Sequence, residues 1–260
     1  MDVYLDNAAT SHPKPKEVLE AVQAALTLYN GNPGRSGHRR ALAGARALLA
    51  CRESLGQMLG AKDSLQVLFA FNCTDALNMA IKGSLQPGDH VVTTALEHNS
   101  VLRPLTGLKD RDWIDVTTIL PNSVGFVEPE AIRHALRPNT RLVIVCHASN
   151  VTGVLQPVAE IGEVLQRAGV PYLVDGAQAL GETPVDVVNL RASLYAFPGH
   201  KGLLGPQGTG GLYVQSGYAM TTLREGGTGS SSESTRQPAE QPDRYESGTM
   251  NLHGLAGLDA

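Results

Sequence analysis

The sequence predicts a three-layer α/β/α sandwich built on a mainly parallel, seven-stranded sheet. Short runs rich in β-branched and aromatic residues alternate with helical patterns, which is typical of a parallel sheet covered by helices on both faces. The predicted strands are 66–71, 90–94, 116–120, 141–147, 171–175, 193–197 and 211–214. The predicted helices include 15–29, 41–59, 74–82, 129–136 and 157–167, several of which begin with proline or a capping hydroxyl.

Three regions are predicted along the chain. Residues 1–30 form an N-terminal segment, residues 31–250 a large domain, and residues 251–260 the start of a truncated C-terminal region. Within the large domain, residues 226–250 are polar and have no apolar period. We therefore expect that part of the chain to be a long excursion outside the core.

The composition indicates an ordinary globular protein. Of 260 residues, 42% are hydrophobic and 18% charged, and the formal net charge is -4, which argues against nucleic acid or a membrane surface as partner. No signal-like N-terminus and no apolar run of ~18 residues is present, so we expect a cytoplasmic location. The three cysteines are unclustered, which predicts neither a disulfide framework nor a metal site.

Lys201 and Asp175 are the strongest candidates for catalytic residues. Lys201 lies between glycines just after a predicted strand, and Asp175 ends another apolar run, with Gln178 three residues later. A buried carboxylate needs a cationic partner, and a protonated pyridine nitrogen is such a partner. The lysine amine would close an imine with an aldehyde on the same ring. Each of these residues has an alternative role. Asp175 could belong to a buried ion pair or bind a metal, Gln178 could cap a helix, and Lys201 could bind an anion.

Polar residues follow three more predicted strands. Thr74 is predicted to cap the helix after strand 66–71, where free N–H groups suit a phosphate, although a plain cap explains it too. His98 could stack on a flat ring or move a proton, or could be a structural histidine. Asn150 could reach a ring substituent or a substrate carboxylate, or could serve only the turn.

Several other site types lack their motifs. The sequence contains no phosphate-binding Gly-x-x-x-x-Gly-Lys-[Ser/Thr], no Gly-x-Gly-x-x-Gly, no Gly-x-Ser-x-Gly and no His-Glu-x-x-His. Nucleotide-binding, serine hydrolase and zinc protease sites of those kinds are therefore not predicted.

Eight segments, in order, resemble one known family. They are YLDNAAT (4–10), NPGRSGH (32–38), TDALN (74–78), EHN (97–99), SNVTG (149–153), VDGAQ (174–178), GHK (199–201) and RYESGT (244–249). The chain resembles the class V aminotransferases, fold-type I enzymes that use pyridoxal 5'-phosphate, and among them the cysteine desulfurase and selenocysteine lyase branch. The predicted fold corresponds to the large domain of these pyridoxal-phosphate-dependent transferases.

The resemblance implies a role for each matching residue. Lys201 would form the Schiff base, Asp175 would pair with the pyridinium, His98 would stack on the ring, and Gln178 would bond the phenolic oxygen. The residues expected at the phosphate end or elsewhere around the cofactor are Thr74, Asp75, Asn150 and His200, with Thr249 supplied by a partner subunit. The residues expected on the substrate side are Arg35, His38 and Asn150.

The resemblance also implies an activity. A cysteine desulfurase-like enzyme would act on L-cysteine or L-selenocysteine, releasing alanine and passing sulfur or selenium to an acceptor, which can be a protein. A homodimer is implied as well. A non-catalytic cofactor-binding fragment or pseudoenzyme, and an aminotransferase or epimerase with another amino-acid substrate, remain the alternatives.

Two departures from the family pattern stand out. Pro198 occupies a position that is often serine, whose hydroxyl helps to bind phosphate. The family also continues into a C-terminal small domain with a substrate-binding arginine and, in desulfurases, a sulfur-accepting cysteine, both expected beyond Ala260. We expect Cys51, Cys73 and Cys146 to be packing residues instead.

Overall fold

A computed structural model describes residues 3–33, 37–230 and 233–260. Within them, seven strands form one sheet in the order β1-β7-β6-β5-β4-β2-β3. The strands are β1 Val67–Ala70, β2 Asp89–Thr94, β3 Ile114–Ile119, β4 Thr140–Cys146, β5 Tyr172–Asp175, β6 Leu194–Pro198 and β7 Gly210–Val214. β7 runs antiparallel to β1 and β6, and the other pairs are parallel. The predicted mainly parallel sheet is confirmed.

The helices lie between the strands and at both ends of the described chain. They are α1 Lys16–Thr27, α2 Arg39–Met58, α3 Cys73–Ser84, α4 Asn99–Lys109, α5 Pro129–Ala135, α6 Val158–Ala168 and α7 Leu252–Asp259. α4 was not among the predicted helices, and it contains Pro104 and has His98 as its N-cap. The α7 helix packs against both α1 and α2, so residues from the two ends of the chain meet.

The core is divided between the two faces of the sheet. Alternate residues along each strand point to opposite faces, so Val174 packs with α2 and α6 on one side, while Leu173 packs with α3 and α4 on the other. Both layers are closed by buried aliphatic side chains of the helices. This arrangement is the predicted three-layer sandwich.

The polar stretch 226–250 contains no helix or strand in the part of it that the structure describes. It is anchored by Glu246, whose carboxylate forms two hydrogen bonds of 2.8 and 2.7 Å with the Arg52 guanidinium and accepts the Phe69 N–H at 2.7 Å. Both charged side chains are only 7% exposed. The excursion is therefore attached to the core by a buried ion pair.

No helix among the described residues is long and apolar enough to cross a membrane.

Candidate active site

One cavity of about 270 Å³ opens at the edge where β2, β4, β5 and β6 end. Ligands of open α/β sheets bind beyond the carboxyl ends of the strands, so this is the expected place for a site. The lining residues are Asn72, Cys73, Thr74, Leu77, Leu96, His98, Ser100, Cys146, Ala148, Asn150, Asp175, Ala177, Gln178, Pro198, His200 and Lys201. Seven of the predicted site residues thus line one cavity: Thr74, His98, Asn150, Asp175, Gln178, His200 and Lys201.

Asp175 ends β5 and is 3% exposed. Its Oδ1 accepts the Ala177 N–H at 3.0 Å and the Cys73 thiol at 3.4 Å. No described residue donates a hydrogen bond to Oδ2, and this oxygen is not completely enclosed by the protein. Burial raises the pKa of this carboxyl, while the Ala177 and Cys73 hydrogen bonds lower it. One carboxylate oxygen is therefore left for a cationic ligand in the cavity.

Lys201 follows β6, the strand next to β5, so two strand ends bring its amine and the Asp175 carboxylate to the same cavity. The turn that carries Lys201 is closed by hydrogen bonds from Leu204 N to Lys201 O and from Gly205 N to Gly199 O, both 2.8 Å. A β-carbon at position 199 would lie 2.1 Å from Thr209 Oγ1, so glycine is required there. The backbone next to Lys201 is thus tightly fixed.

The N-terminus of α3 lies at the cavity, but its cap differs from the prediction. Asn72 is the N-cap, because its Oδ1 accepts the Asp75 N–H at 2.9 Å, and Thr74 lies in the first turn. Thr74 Oγ1 instead contacts Ser100 Oγ at 2.7 Å. Ser100 belongs to the first turn of α4, so two helix N-termini, each with the partial positive charge of its dipole, face this end of the cavity.

His98 is exposed and acts as the N-cap of α4, with Nδ1 accepting the Ser100 N–H at 3.1 Å. Because Nδ1 is an acceptor, the neutral ring carries its proton on Nε2. Asn150 is also exposed at the cavity mouth. Gln178 donates from Nε2 to the Ala8 carbonyl at 3.1 Å and caps no helix. These three side chains provide polar groups around the opening.

His200 connects the cavity with the N-terminal segment. Its ring Nδ1 lies 3.1 Å from Thr10 Oγ1, and its carbonyl oxygen is hydrogen-bonded by Ser11 and Lys14. Burial lowers the pKa of His200, and the neighbouring Lys201 and Lys14 lower it further. The imidazole is therefore neutral near pH 7.

Four predicted site residues do not line this cavity. Asp75 is engaged elsewhere, since its Oδ2 accepts the Phe71 N–H at 3.0 Å and Arg224 pairs with its carboxylate. Thr249 is exposed, and His38 caps α2 by accepting the Ala41 N–H at 3.2 Å. Arg35 lies outside the described residues. The roles expected for these residues stay predictions.

Three residues that line the cavity were not predicted from the sequence. Ser100 and Cys73 contact Thr74 and Asp175, respectively, and Cys146 also lines the cavity. Burial raises the pKa values of both thiols. The serine could have been noticed as the second residue after His98, whereas nothing in the sequence indicated that Cys73 faces Asp175.

Metal binding gains no support. The described residues contain no group of three or more His, Cys, Asp or Glu side chains placed to hold a metal ion.

Fold and cavity together define an α/β protein of the aminotransferase type. The chain belongs to the aminotransferase class-V family, which it matches over residues 3–260. It is 38% identical over 263 residues to a probable cysteine desulfurase of Methanothermobacter thermautotrophicus, covering 99% of this chain and 65% of that relative.

Solved structures show the same likeness. The cysteine desulfurase of Thermococcus onnurineus NA1 superposes with a TM-score of 0.88 at 30% identity, covering 99% of this chain and 65% of that one. A structure of SspA in complex with cysteine gives a TM-score of 0.88 at 28% identity, and the match covers 98% of this chain and 71% of that one. The chain spans 65% and 61% of the first two curated relatives that it matches, which is less than two thirds of their length.

Proposed function

We propose that this protein is a pyridoxal-phosphate-dependent enzyme of the cysteine desulfurase type. It would take L-cysteine or L-selenocysteine together with an acceptor thiol, and give alanine and the persulfide or selenium analogue of that thiol. The observation that carries the proposal is the placement of Lys201 and Asp175 at the ends of neighbouring strands on one cavity. Cysteine desulfurases among its relatives support the choice of reaction.

The residues of the cavity fit such a cofactor. Asp175 Oδ2, which has no donor among the described residues, would accept from a protonated ring nitrogen, and Lys201 Nζ would attach the ring at its carbonyl carbon. When bound, the cofactor supplies an electron sink for negative charge at the substrate carbon. The buried Asp175 carboxylate would keep the ring nitrogen protonated, because a cation beside it offsets the cost of burying its charge.

Another part of the cavity suits a phosphate. Thr74 and Ser100 offer hydroxyl groups, and the first turns of α3 and α4 offer N–H groups with a positive dipole end. The His200 imidazole also lines the cavity. Pro198 has no hydroxyl to contribute, so this chain would rely on the other groups.

The mouth of the cavity would receive the substrate. His98 would cover one face of the ring and, with a proton on Nε2, could pass that proton to or from the substrate. Lys201 Nζ would be available to hold a proton removed from the substrate carbon. Asn150 and the second N–H of Gln178 remain available for ring or substrate oxygens.

Partners of the whole protein form part of the proposal. A second copy would bring Thr249 to the phosphate in a homodimer, and a sulfur-acceptor protein would receive the product sulfur. The cytoplasmic location stays a prediction.

The test is a titration of the purified protein with pyridoxal 5'-phosphate, followed by addition of cysteine. We expect a visible absorbance band of the bound cofactor and release of alanine. Lys201→Ala should abolish the band, whereas Lys62→Ala, an exposed lysine outside the cavity, should leave it unchanged.

The outcomes separate the alternatives. Colour without turnover would favour a cofactor-binding fragment or pseudoenzyme, and a product other than alanine would favour an aminotransferase or epimerase. Failure of the wild-type protein to bind the cofactor would refute the proposal.

A further inference from the structure

The hydroxyl group of Ser100 lies between two other side chains of the cavity. Its Oγ is 2.7 Å from Thr74 Oγ1 and 2.8 Å from His98 Nδ1. Ser100 is only 9% exposed, and all three residues line the cavity. A chain of hydrogen bonds therefore joins the first turn of α3 to the exposed histidine that precedes α4.

The hydroxyl protons of this chain have two possible arrangements. His98 Nδ1 accepts the Ser100 N–H at 3.1 Å, so this nitrogen is an acceptor. In the first arrangement, Thr74 donates to Ser100 Oγ, and Ser100 donates to Nδ1 as a second donor. In the second, Ser100 donates to Thr74 Oγ1, because either hydroxyl of that pair can be the donor. Thr74 Oγ1 has no other partner among the described residues, so its proton is then left for a ligand.

An anion in the cavity decides between the two arrangements. Without an anion, the first arrangement uses both hydroxyl protons within the protein. With an anion beside Thr74, the second arrangement gains a charge-assisted hydrogen bond, which is about twice as strong as a neutral one. We propose that Ser100 is a positioning residue that couples anion binding at Thr74 to His98. The bound anion turns the Ser100 hydroxyl proton from His98 Nδ1 to Thr74 Oγ1.

The charges around these hydroxyl groups favour an anion. A second groove adjoins the cavity and shares Thr74, His98 and Ser100 with it. Lys82, Arg103 and Arg111 also line this groove, and no aspartate or glutamate is among its described lining residues. Although the whole chain has a formal net charge of -4, this part of its surface is basic.

The coupling changes how firmly His98 holds its proton. Hydrogen bonds in a chain polarise one another, so a donor at Nδ1 makes the Nε2 proton easier to release. When the anion removes the Ser100 hydroxyl from Nδ1, only the amide donor remains and the ring retains the Nε2 proton more firmly. The reading of the anion as a cofactor phosphate rests on the proposed function, whereas the coupling to His98 does not.

The test uses inorganic phosphate as the anion and needs no cofactor. The protein is labelled with ¹⁵N-histidine and studied by NMR at pH 8, above the range in which an ordinary histidine titrates. The His98 signals are assigned by their loss in His98→Gln. An acceptor nitrogen resonates further upfield when it gains a hydrogen bond, so phosphate should move the wild-type Nδ1 signal downfield.

Two variants should fix the signal at opposite positions. Ser100→Ala keeps the N–H that caps α4 but lacks the hydroxyl, so Nδ1 should resonate downfield with and without phosphate. Thr74→Val removes the competing acceptor, so Nδ1 should stay upfield in both conditions. Ser100→Thr, which keeps a hydroxyl, should respond as the wild type does. Ser216→Ala, an exposed serine outside the cavity, should respond likewise.

The outcomes decide the coupling and the proposed function separately. Phosphate that binds in equilibrium dialysis without moving the wild-type signal would overturn the coupling, and so would a failure of phosphate to bind. Equal signal positions in Ser100→Ala and Thr74→Val would indicate a merely structural role and contradict it as well. If phosphate moves the signal as expected but pyridoxal 5'-phosphate does not bind, the proposed function fails while the coupling is confirmed.

Discussion

Cys73 Sγ lies 3.4 Å from Asp175 Oδ1, and its thiol donates to that buried carboxylate. Cys73 begins α3 and Asp175 ends β5, so the contact joins two of the elements that face the cavity. The pKa of the Cys73 thiol is raised well above its usual range, first by burial and then by the Asp175 charge. This cysteine is thus a hydrogen-bond donor to Asp175 and a poor nucleophile.

Removing the thiol should weaken cofactor binding slightly. In Cys73→Ala the Asp175 carboxylate loses one of its two donors, so its pKa rises further and less of it is ionised to pair with the ring nitrogen. We expect pyridoxal 5'-phosphate to bind about threefold more weakly, as for one weak hydrogen bond. Cys73→Ser, which keeps a donor, should bind within about twofold of wild type. Titrations at several pH values would show this, and identical curves for Cys73→Ala and wild type would contradict it.

Asp175→Asn should have opposite effects on binding and on stability. The amide can still accept the Ala177 N–H but no longer carries the charge that pairs with a ring cation, so cofactor binding should weaken at least about tenfold. Without cofactor, the variant should be about 1 kcal/mol or more stable than wild type at pH 8, because an uncompensated buried charge is removed.

The sign of that stability difference depends on pH. Burial raises the pKa of Asp175 in the folded state, so its ionisation destabilises the fold as pH rises. Urea unfolding without cofactor should therefore show a smaller advantage of Asp175→Asn at pH 4 than at pH 8. An advantage that is constant with pH would count against a buried ionised carboxylate.

The strands were easier to predict from sequence than the contacts of the site. Each predicted strand lies within about two residues of an observed one, because most strands of this sheet are buried on both faces and therefore consist of apolar runs. α4 escaped prediction because Pro104 lies inside it and because its cap is a histidine ring. At α3, the Asn72 amide is the cap, and Thr74 was mistaken for it because both residue types favour that position.

The long-range parts of the site could not be read from local patterns. The contact between Thr10 and His200 joins residues 190 positions apart, and that between Cys73 and Asp175 joins residues 102 apart. Lys201 and Asp175, by contrast, were identifiable because Asp175 ends an apolar run and Lys201 lies in the glycine-rich turn just after another. Their proximity to one cavity follows from strand order, which places β5 beside β6.

Glu97 predicts a pH dependence of folding. Its Oε1 accepts from Thr94 Oγ1 at 2.6 Å and from the Cys146 N–H at 3.0 Å, while Oε2 is buried without a partner. Burial raises its pKa to about 8 from the model-compound value of 4.5. The unfolded chain releases this proton at lower pH than the folded protein does. The contribution of Glu97 to stability is therefore fully present below pH 4.5 and is lost as the pH rises to about 8.

His147 opposes this trend only at lower pH. Burial lowers its pKa from 6.5 to about 4, so its contribution to stability increases as the pH rises from about 4 to 6.5. Between pH 6.5 and 8 the Glu97 contribution remains, with a slope of at most about 1.4 kcal/mol per pH unit. Glu97→Gln should flatten the slope in urea unfolding, whereas Glu53→Gln, on the exposed side of α2, should not. Equal slopes in wild type and Glu97→Gln would exclude this assignment.

The ion pair between Arg52 and Glu246 should contribute strongly to stability when one partner is removed. Glu246→Gln leaves a buried guanidinium without its counter-charge and should cost about 3–5 kcal/mol in the free energy of unfolding. Glu20→Gln breaks the surface pair with Lys16, whose side chains are 59% and 80% exposed, and should cost less than about 1 kcal/mol. Denaturant unfolding of both variants provides the comparison, and similar losses would disprove the distinction.

Residues 8–14 contact both Gln178 and His200, so this segment holds down the peptide that carries Lys201. Trimming by an exopeptidase past Lys14 would remove the Ser11 and Lys14 donors of the His200 carbonyl and loosen the Lys201 turn, although no cavity residue would be cut. Conversely, an occupied cavity should shield this end of the chain from digestion. The rate of N-terminal trimming thus becomes a reporter of occupancy at a site almost two hundred residues away in sequence.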